Sequence, residues 1–310
     1  MKRKPYLVLL FKILIFFGVL LQLGYLFYFE KDFSQRFIAV FSRNIRFGWL
    51  LLVFLLMFLN WLIEAVKWQF LVRKITEINL SKAIEVVLTG LSFGFFTPRG
   101  VGDYIARVYV SESSQKISLV MALLLSRMSQ LAVILVGGAI GLLFFKTESI
   151  NFTVFTSISI SKWVMAILAI ILVVIISLWF YKATKVTSFF ALLKRRNVFG
   201  AKDIGFVSLL SVLRYLTYTT QFVLLLMAIG VTVPFLTLLI TIFVVFLAKA
   251  MLPVFNFMSD IGVREVFAVL FLSTLGVPEE VALVASLMLW GINILLPTLF
   301  GVLITLKMKL

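Results

Sequence analysis

Apolar runs of about 18 residues or more recur along the whole chain, each long enough to cross roughly 30 Å of hydrocarbon as an α-helix. They lie at 6–29, 47–72, 117–145, 160–181, 204–229 and 279–306. Trp49, Trp68, Trp163, Trp179 and Tyr181 sit near their ends, where amphipathic rings anchor at the membrane–water interface. Alternating strand patterns are missing. A chain that is 63% hydrophobic over 310 residues cannot clothe itself in a polar surface, so its natural solvent is a bilayer. The expected fold class is an all-α polytopic membrane protein, built as a single integral-membrane unit over residues 1–310.

The chain has no Cys and no His. The usual metal ligands, thiol nucleophiles and imidazole bases are therefore missing, and no metal or cofactor is expected. Chemistry would have to come from Asp, Glu, Lys, Arg or hydroxyls. The formal charge of +16, from 29 Lys and Arg against 13 Asp and Glu, is read as cytoplasmic loop charge that sets orientation, not as a nucleic-acid surface. Met1-Lys-Arg-Lys4 followed by Tyr6 to Phe29 imitates a signal peptide. The apolar run is too long for one and no small-residue cleavage site follows, so a first span is expected there.

Two apolar segments do not fit as spans. Between Glu85 and Pro98 there are 12 residues, which at 1.5 Å each reach roughly 18 Å, about half a membrane. "FFTPRGVGDYIARVYV" follows, breaking at Pro98 and Gly102. The second misfit runs from Phe246 to Gly276, where an apolar helix carrying Lys249 stops at Pro253 and another begins near Gly262. Each break has a Pro, a polar stretch with Gly, and a carboxylate in the next helical turn, Asp103 in one and Glu265 in the other. If the first segment crossed the membrane, the basic loop holding Lys194-Arg195-Arg196 would lie opposite the Lys-Arg-Lys N-terminus, against the positive-inside tendency. The reading that keeps both cytoplasmic has six full spans and two opposed re-entrant hairpins, at 83–112 and 233–276, about eight membrane segments in total. Both termini are then cytoplasmic, in the cell (inner) membrane. Residues 184–203 form a basic cytoplasmic connector. Broken helices facing each other from two halves of a chain point to a transporter's central site.

An ionisable side chain inside a span costs about 2.5–3.5 kcal/mol on insertion scales. The candidates are Arg99, Arg107, Arg127, Arg214, Lys249 and Arg264 against Asp103, Asp260 and Glu265, six cations to three carboxylates. Asp103 and Glu265 have two readings, as helix-dipole partners or as supports for the arginines or the hairpin tips; Asp260 has the second reading. Arg107 either pairs with them or reaches an interface. Lys12, Glu64 and Lys67 lie near span ends and receive no role. Arg127 and Arg214 sit about ten residues into long apolar helices. Their surplus charge is most simply offset by a bound anion, and Arg holds phosphate in fork geometry. Gly137-x-x-x-Gly141 reads as a small-residue packing face.

Pro98, Gly102-Asp103, Arg107, Ser126-Arg127, Pro253, Gly262-Val-Arg-Glu265, Leu275-Gly276-Val277 and Pro297…Gly301 together resemble the transmembrane region of the lysylphosphatidylglycerol synthase family, a flippase-like group. Ser126 and Gln130 stand where that family commonly has Glu and Asp, and Ser259-Asp260 where it usually has a Gly-Gly pair. The 310 residues hold no hydrophilic block the size of the cytosolic aminoacyl-transferring domain of bifunctional members, so lipid aminoacylation is not implied. What the resemblance implies is movement of a lipid or lipid-linked sugar between leaflets.

The expected function is thus transport, not catalysis, of an anionic phospholipid or lipid-linked sugar through a basic cavity. Arg127, Arg214, Arg264, Arg99 and Lys249 are the expected substrate ligands. Asp103, Arg107, Asp260 and Glu265 are the expected supporting ion pairs, and Pro98, Gly102, Pro253 and Gly262 the hairpin breaks. Expected partners are the bilayer, the lipid itself, and a lipid-modifying enzyme or a second copy. The alternative is a membrane-embedded transferase or accessory subunit acting on polyprenyl-phosphate-linked sugars.

Overall fold

The computed structural model describes residues 35, 38–40, 45–97, 100–111, 114–145, 198–251 and 262–307. The expected spans at 6–29 and 160–181, the connector up to residue 197, and Pro98, Arg99, Pro253 and Asp260 lie outside the described residues. Regular structure among the described residues is helical. Its longer elements are α1 (Phe47–Val72), α2 (Leu80–Phe96), α3 (Val101–Val110), α4 (Lys116–Phe144), α5 (Ala201–Ala228), α6 (Phe235–Met251), α7 (Val263–Ser273), α8 (Glu279–Trp290) and α9 (Leu296–Lys307), with a π-helical turn, Gly291–Leu295, joining the last two. Four of these stretches, α1, α4, α5 and the continuous Glu279–Lys307, are long and apolar enough to cross a membrane. They coincide with the four expected spans that fall on described residues.

The helix lengths repeat. Helices of 26, 17, 10 and 29 residues form one series and helices of 28, 17, 11 and 29 the other. The two series interlock, because α4 packs on α6 and α9 packs on α2, while α1 and α5 lie side by side. The α1–α5 pair is antiparallel. Arg46 N donates to Ala228 O at 3.0 Å, Gln221 Nε2 to Val53 O at 2.9 Å, and Arg214 Nη1 lies 3.2 Å from Glu64 Oε2. Helix α4 runs parallel to α5, since Gln130 meets Ser211 and Gly137 meets Tyr215. It follows that α1 and α4 run in opposite directions, so the chain between them must begin and end at one end of the bundle.

The α2–α3 hairpin meets that requirement by folding back on itself. Asn79 starts α2, its Oδ1 accepting from Lys82 N at 2.8 Å, so the helix begins ahead of the apolar run at Val86 and is longer than a half-helix. Thr97 closes the bend from both sides: its hydroxyl donates to Phe93 O at 2.9 Å and accepts from Gly102 N at 2.7 Å. One side chain thereby satisfies a carbonyl that α2 leaves open and an amide that α3 leaves open. Gly100 takes the left-handed backbone (φ 65°) that residues with a Cβ rarely adopt. A Cβ at Gly102 would collide with the carbonyl of Phe93, which is the physical reason that break needs glycine.

The glycine face on α4 packs as its spacing suggests. A Cβ at Gly137 would lie 2.6 Å from Tyr215 Cε1, one at Gly138 2.9 Å from Leu247 Cγ, and one at Gly141 2.9 Å from Phe243 Cβ. Glycine lets α4 approach α5 and α6 this closely. Pro297 accounts for the π turn. It cannot donate to the carbonyl four residues back, Asn293 O, and that carbonyl instead accepts from Trp61 Nε1 at 3.0 Å. A defect in one helix becomes a tie to α1. Trp61 packs against both apolar cores, one built largely from α5 to α8 and the other from α1, α2 and α4, and marks where they meet.

A cation-rich cavity between the hairpins

A cavity of about 410 Å³ opens at that meeting point. Its charged wall carries Asp103, Arg107, Arg127, Arg214 and Lys249, and its neutral wall includes Asn60, Gln130, Tyr215, Tyr218 and Asn293, with Leu91, Ile134, Phe246 and Ile294 among the apolar contributors. Helices from both series build it, so neither could form it alone.

The charges form one connected network across four helices. Glu64 on α1 is its hub: Oε2 lies 2.9 Å from Lys67 Nζ and 3.2 Å from Arg214 Nη1 on α5, while Oε1 accepts from Arg107 Nη1 on α3 at 3.1 Å. Arg107 Nε donates to Asp103 Oδ1 at 2.6 Å. The other oxygen of Asp103 accepts from Arg127 Nη2 on α4. Arg107 also lies over the Trp68 ring at 5.4 Å, and Arg214 over the Trp61 ring at 5.3 Å, which gives each guanidinium an apolar face to rest on. The network holds four cations and two carboxylates, and Lys249 adds a further cation to the same cavity.

Exposure separates the members. The side chains of Glu64, Lys67 and Arg107 are at most 2% exposed, and that of Asp103 is 7% exposed. Arg127 is 39% exposed and Arg214 16%. The carboxylates are thus held inside by arginines whose outer surfaces face the cavity. Glycine makes room for the arrangement, because a Cβ at Gly90 would collide with Asp103 Oδ1 and lie 2.9 Å from Arg107 Cγ, and one at Gly94 would lie 3.1 Å from Asp103 Cβ.

The structure brings Asp103, Arg107, Arg127, Arg214 and Lys249 to the wall of one cavity. Arg264 and Glu265 are not on its wall. Arg264 is fully buried and is held by protein groups: Nε donates to Ser286 Oγ at 2.9 Å, Nη1 to Tyr218 Oη at 2.9 Å, and Nη2 to Ser286 O at 2.9 Å and to Glu265 Oε1. Glu265 also accepts from Gly262 N at 2.8 Å, capping α7 where Gly262 takes a positive φ of 106°. Arg264 donates to Tyr218, and Tyr218 does line the cavity.

Glu64 and Lys67, placed near a span end by the apolar pattern, are instead the buried centre. The signal that could have found them is their i, i+3 spacing: inside an apolar helix, a carboxylate and an ammonium on one face answer each other's charge. The tyrosines and amides of the neutral wall carry no such mark. No group of three or more acidic side chains that could hold a metal ion occurs among the described residues. No curated protein and no solved structure matches the chain. The family model of the lysylphosphatidylglycerol synthase TM region matches residues 10–301, and the chain belongs to that family.

Proposed function

We propose that this flippase-like membrane protein carries an anionic phospholipid or lipid-linked sugar between leaflets, with the phosphate passing through the cation-rich cavity while the chains stay in lipid. One observation carries the reading: among the described residues, cations exceed carboxylates around a cavity lodged among long apolar helices. A surplus of cations at membrane depth is costly, and a phosphate brings negative charge to it. Arg127, Arg214 and Lys249 are the proposed phosphate ligands. Arg107 and Asp103 hold the first two-helix hairpin against α1 and α4, and Arg264 with Glu265 holds the second.

The cavity's size agrees with a head group and not a whole lipid, since drug-sized ligand pockets begin at about 300 Å³. Its apolar contributors, Leu91, Ile134, Phe246 and Ile294, offer the first carbons of a chain a surface beside the charges. Re-entry of both hairpins from opposite sides, with the termini in the cytoplasm, completes the proposal. Backbone that leaves helical geometry at membrane depth survives where a watery cavity or protein receives it. The experiment is reconstitution of purified protein into vesicles with a head-group-labelled phospholipid. Faster exposure of an anionic lipid than in protein-free vesicles supports transport, and no acceleration for any anionic lipid removes it.

A further inference from the structure

The two hairpins are fastened by matching parts in different company. The third residue of α3 is Asp103 and the third of α7 is Glu265. The eighteenth residue of α1 is Glu64 and the eighteenth of α5 is Tyr218. In each half, an arginine of the hairpin reaches both positions. Arg107 donates to Asp103 Oδ1 at 2.6 Å and to Glu64 Oε1 at 3.1 Å, and Arg264 donates to Glu265 Oε1 and, at 2.9 Å, to Tyr218 Oη. What differs is what else holds those acceptors. In the first half, Asp103 Oδ2 accepts from Arg127 and Glu64 Oε2 lies 3.2 Å from Arg214 Nη1. Both of these arginines line the cavity, and part of each side chain is accessible. In the second half, Glu265 accepts from Ser286 Oγ at 3.1 Å and from Gly262 N at 2.8 Å, and Arg264 donates to Ser286. These further partners are uncharged, and Arg264 is fully buried.

An anion in the cavity meets the two fastenings differently. Beside Arg127 and Arg214 it competes with Asp103 and Glu64 for the same guanidinium protons, and its charge repels theirs. The tie of α3 to α4 through Asp103 and Arg127 weakens, while Arg107 still joins α3 to α1, so the hairpin loosens without coming away. A ligand shifts a conformation only by interacting differently with its two states. Here the difference is that a loosened first hairpin leaves Arg127 and Arg214 freer to bond the ligand. The second hairpin offers no such exchange, because its arginine is out of reach and its further bonds go to neutral groups. We infer that the α2–α3 hairpin is the element that moves when an anion occupies the cavity, released as the ligand replaces Asp103 and Glu64 at Arg127 and Arg214, while the second hairpin stays as a fixed wall. The inference rests on the proposed anion role of the same cavity.

The test follows backbone hydrogen exchange of the full-length protein in phosphatidylcholine nanodiscs, with and without phosphatidylglycerol as the anionic probe, and compares peptides covering α3 with peptides covering α7. Exchange in α3 should accelerate roughly 10-fold or more with the anionic lipid, as release of one hydrogen bond to a charged group gives, and exchange in α7 should stay as it was. Arg127→Gln should show the faster α3 exchange already in phosphatidylcholine, with little added by phosphatidylglycerol; such local opening is distinct from global unfolding. Ser286→Ala, which removes a partner of both Arg264 and Glu265, should accelerate α7 equally in the two lipids. Unchanged or slower exchange in α3 with the anionic lipid, or equal acceleration in α3 and α7, would overturn the inference, as would either variant behaving like the unmodified protein. Lipid movement measured on the same preparation separates the two claims. Movement with unchanged α3 exchange sinks the moving hairpin and leaves transport standing, and the absence of both removes both.

Discussion

Arg107 Nη1 donates to Glu64 Oε1 at 3.1 Å, joining α3 to α1 across 43 residues of sequence. Both side chains are nearly inaccessible, and both are bonded again, Arg107 to Asp103 and Glu64 to Lys67 and Arg214. The first hairpin is therefore fastened at its charged residues and not only by apolar packing. Loss of the hub should be felt by every helix it ties.

Glu64→Gln should destabilise the protein by about 3–5 kcal/mol, the usual cost of leaving a buried ionic partner uncompensated. Lys67, Arg107 and Arg214 would all face an uncharged amide. Thermal unfolding in detergent measures it. A change within about 0.5 kcal/mol, as for an ordinary surface substitution, would mean that the network contributes nothing to the fold.

Arg264→Gln should also destabilise by about 3–5 kcal/mol, because Glu265 loses its guanidinium in a fully buried setting. Added lipid should not restore the loss, since Arg264 is off the cavity wall. Arg127→Gln should behave differently: Asp103 keeps Arg107, and the Arg127 side chain is 39% exposed. Its unfolding temperature in the absence of lipid should stay near that of the unmodified protein while stabilisation by anionic lipid falls. Equal losses in both variants without lipid would assign Arg127 a structural role.

Gly90→Ala places a methyl group against Asp103 Oδ1 and Arg107 Cγ. The α2 and α3 helices would have to move apart, at an overpacking cost of about 1–3 kcal/mol. Gly205→Ala, where a Cβ meets nothing within 4 Å, serves as the control and should be neutral or slightly stabilising because glycine weakens a helix interior. Comparing the two unfolding temperatures decides whether the close hairpin approach matters.

Orientation of the hairpin can be read by single cysteines at Glu77, Gln115, Lys202 and Thr232, all exposed. The opposed directions of α1 and α4, and the parallel run of α4 and α5, put the first three at one end of the bundle; Lys74 Nζ lies 2.6 Å from Asp203 Oδ2 at that end. They should label together from the cytoplasm, and Thr232 from the other side. Labelling of Gln115 from the side opposite Glu77 would show that the hairpin crosses.

Much of this architecture was legible because bilayers demand long apolar helices, and few other patterns of that length exist. The spans at α1, α4 and α5, and the last one, could be read within a few residues, and the break at Gly102 could be read from Pro, Gly and Asp in succession. Partnership was not legible in the same way. Arg127 and Arg214 stood out as buried cations, but nothing near them in sequence named Asp103 or Glu64, which arrive from other helices. Glu64 looked peripheral because its distance from a helix end was visible and its contact with α3 and α5 was not. Arg264 looked like a ligand for the reason that Arg127 did. Only the three-dimensional packing of Ser286 and Tyr218 around it separates the two.

The most direct measurement is the transbilayer rate of head-group-labelled phosphatidylglycerol in vesicles containing the unmodified protein, Arg127→Gln, or no protein. The expected result is a rate well above protein-free vesicles for the unmodified chain, and a fall of roughly 10-fold or more for Arg127→Gln in folded protein, as loss of a charged hydrogen bond of about 1.5–3 kcal/mol would give. A rate equal to that of protein-free vesicles, or one unchanged by Arg127→Gln, would contradict the assignment of the cation-rich cavity as the path of the lipid head group.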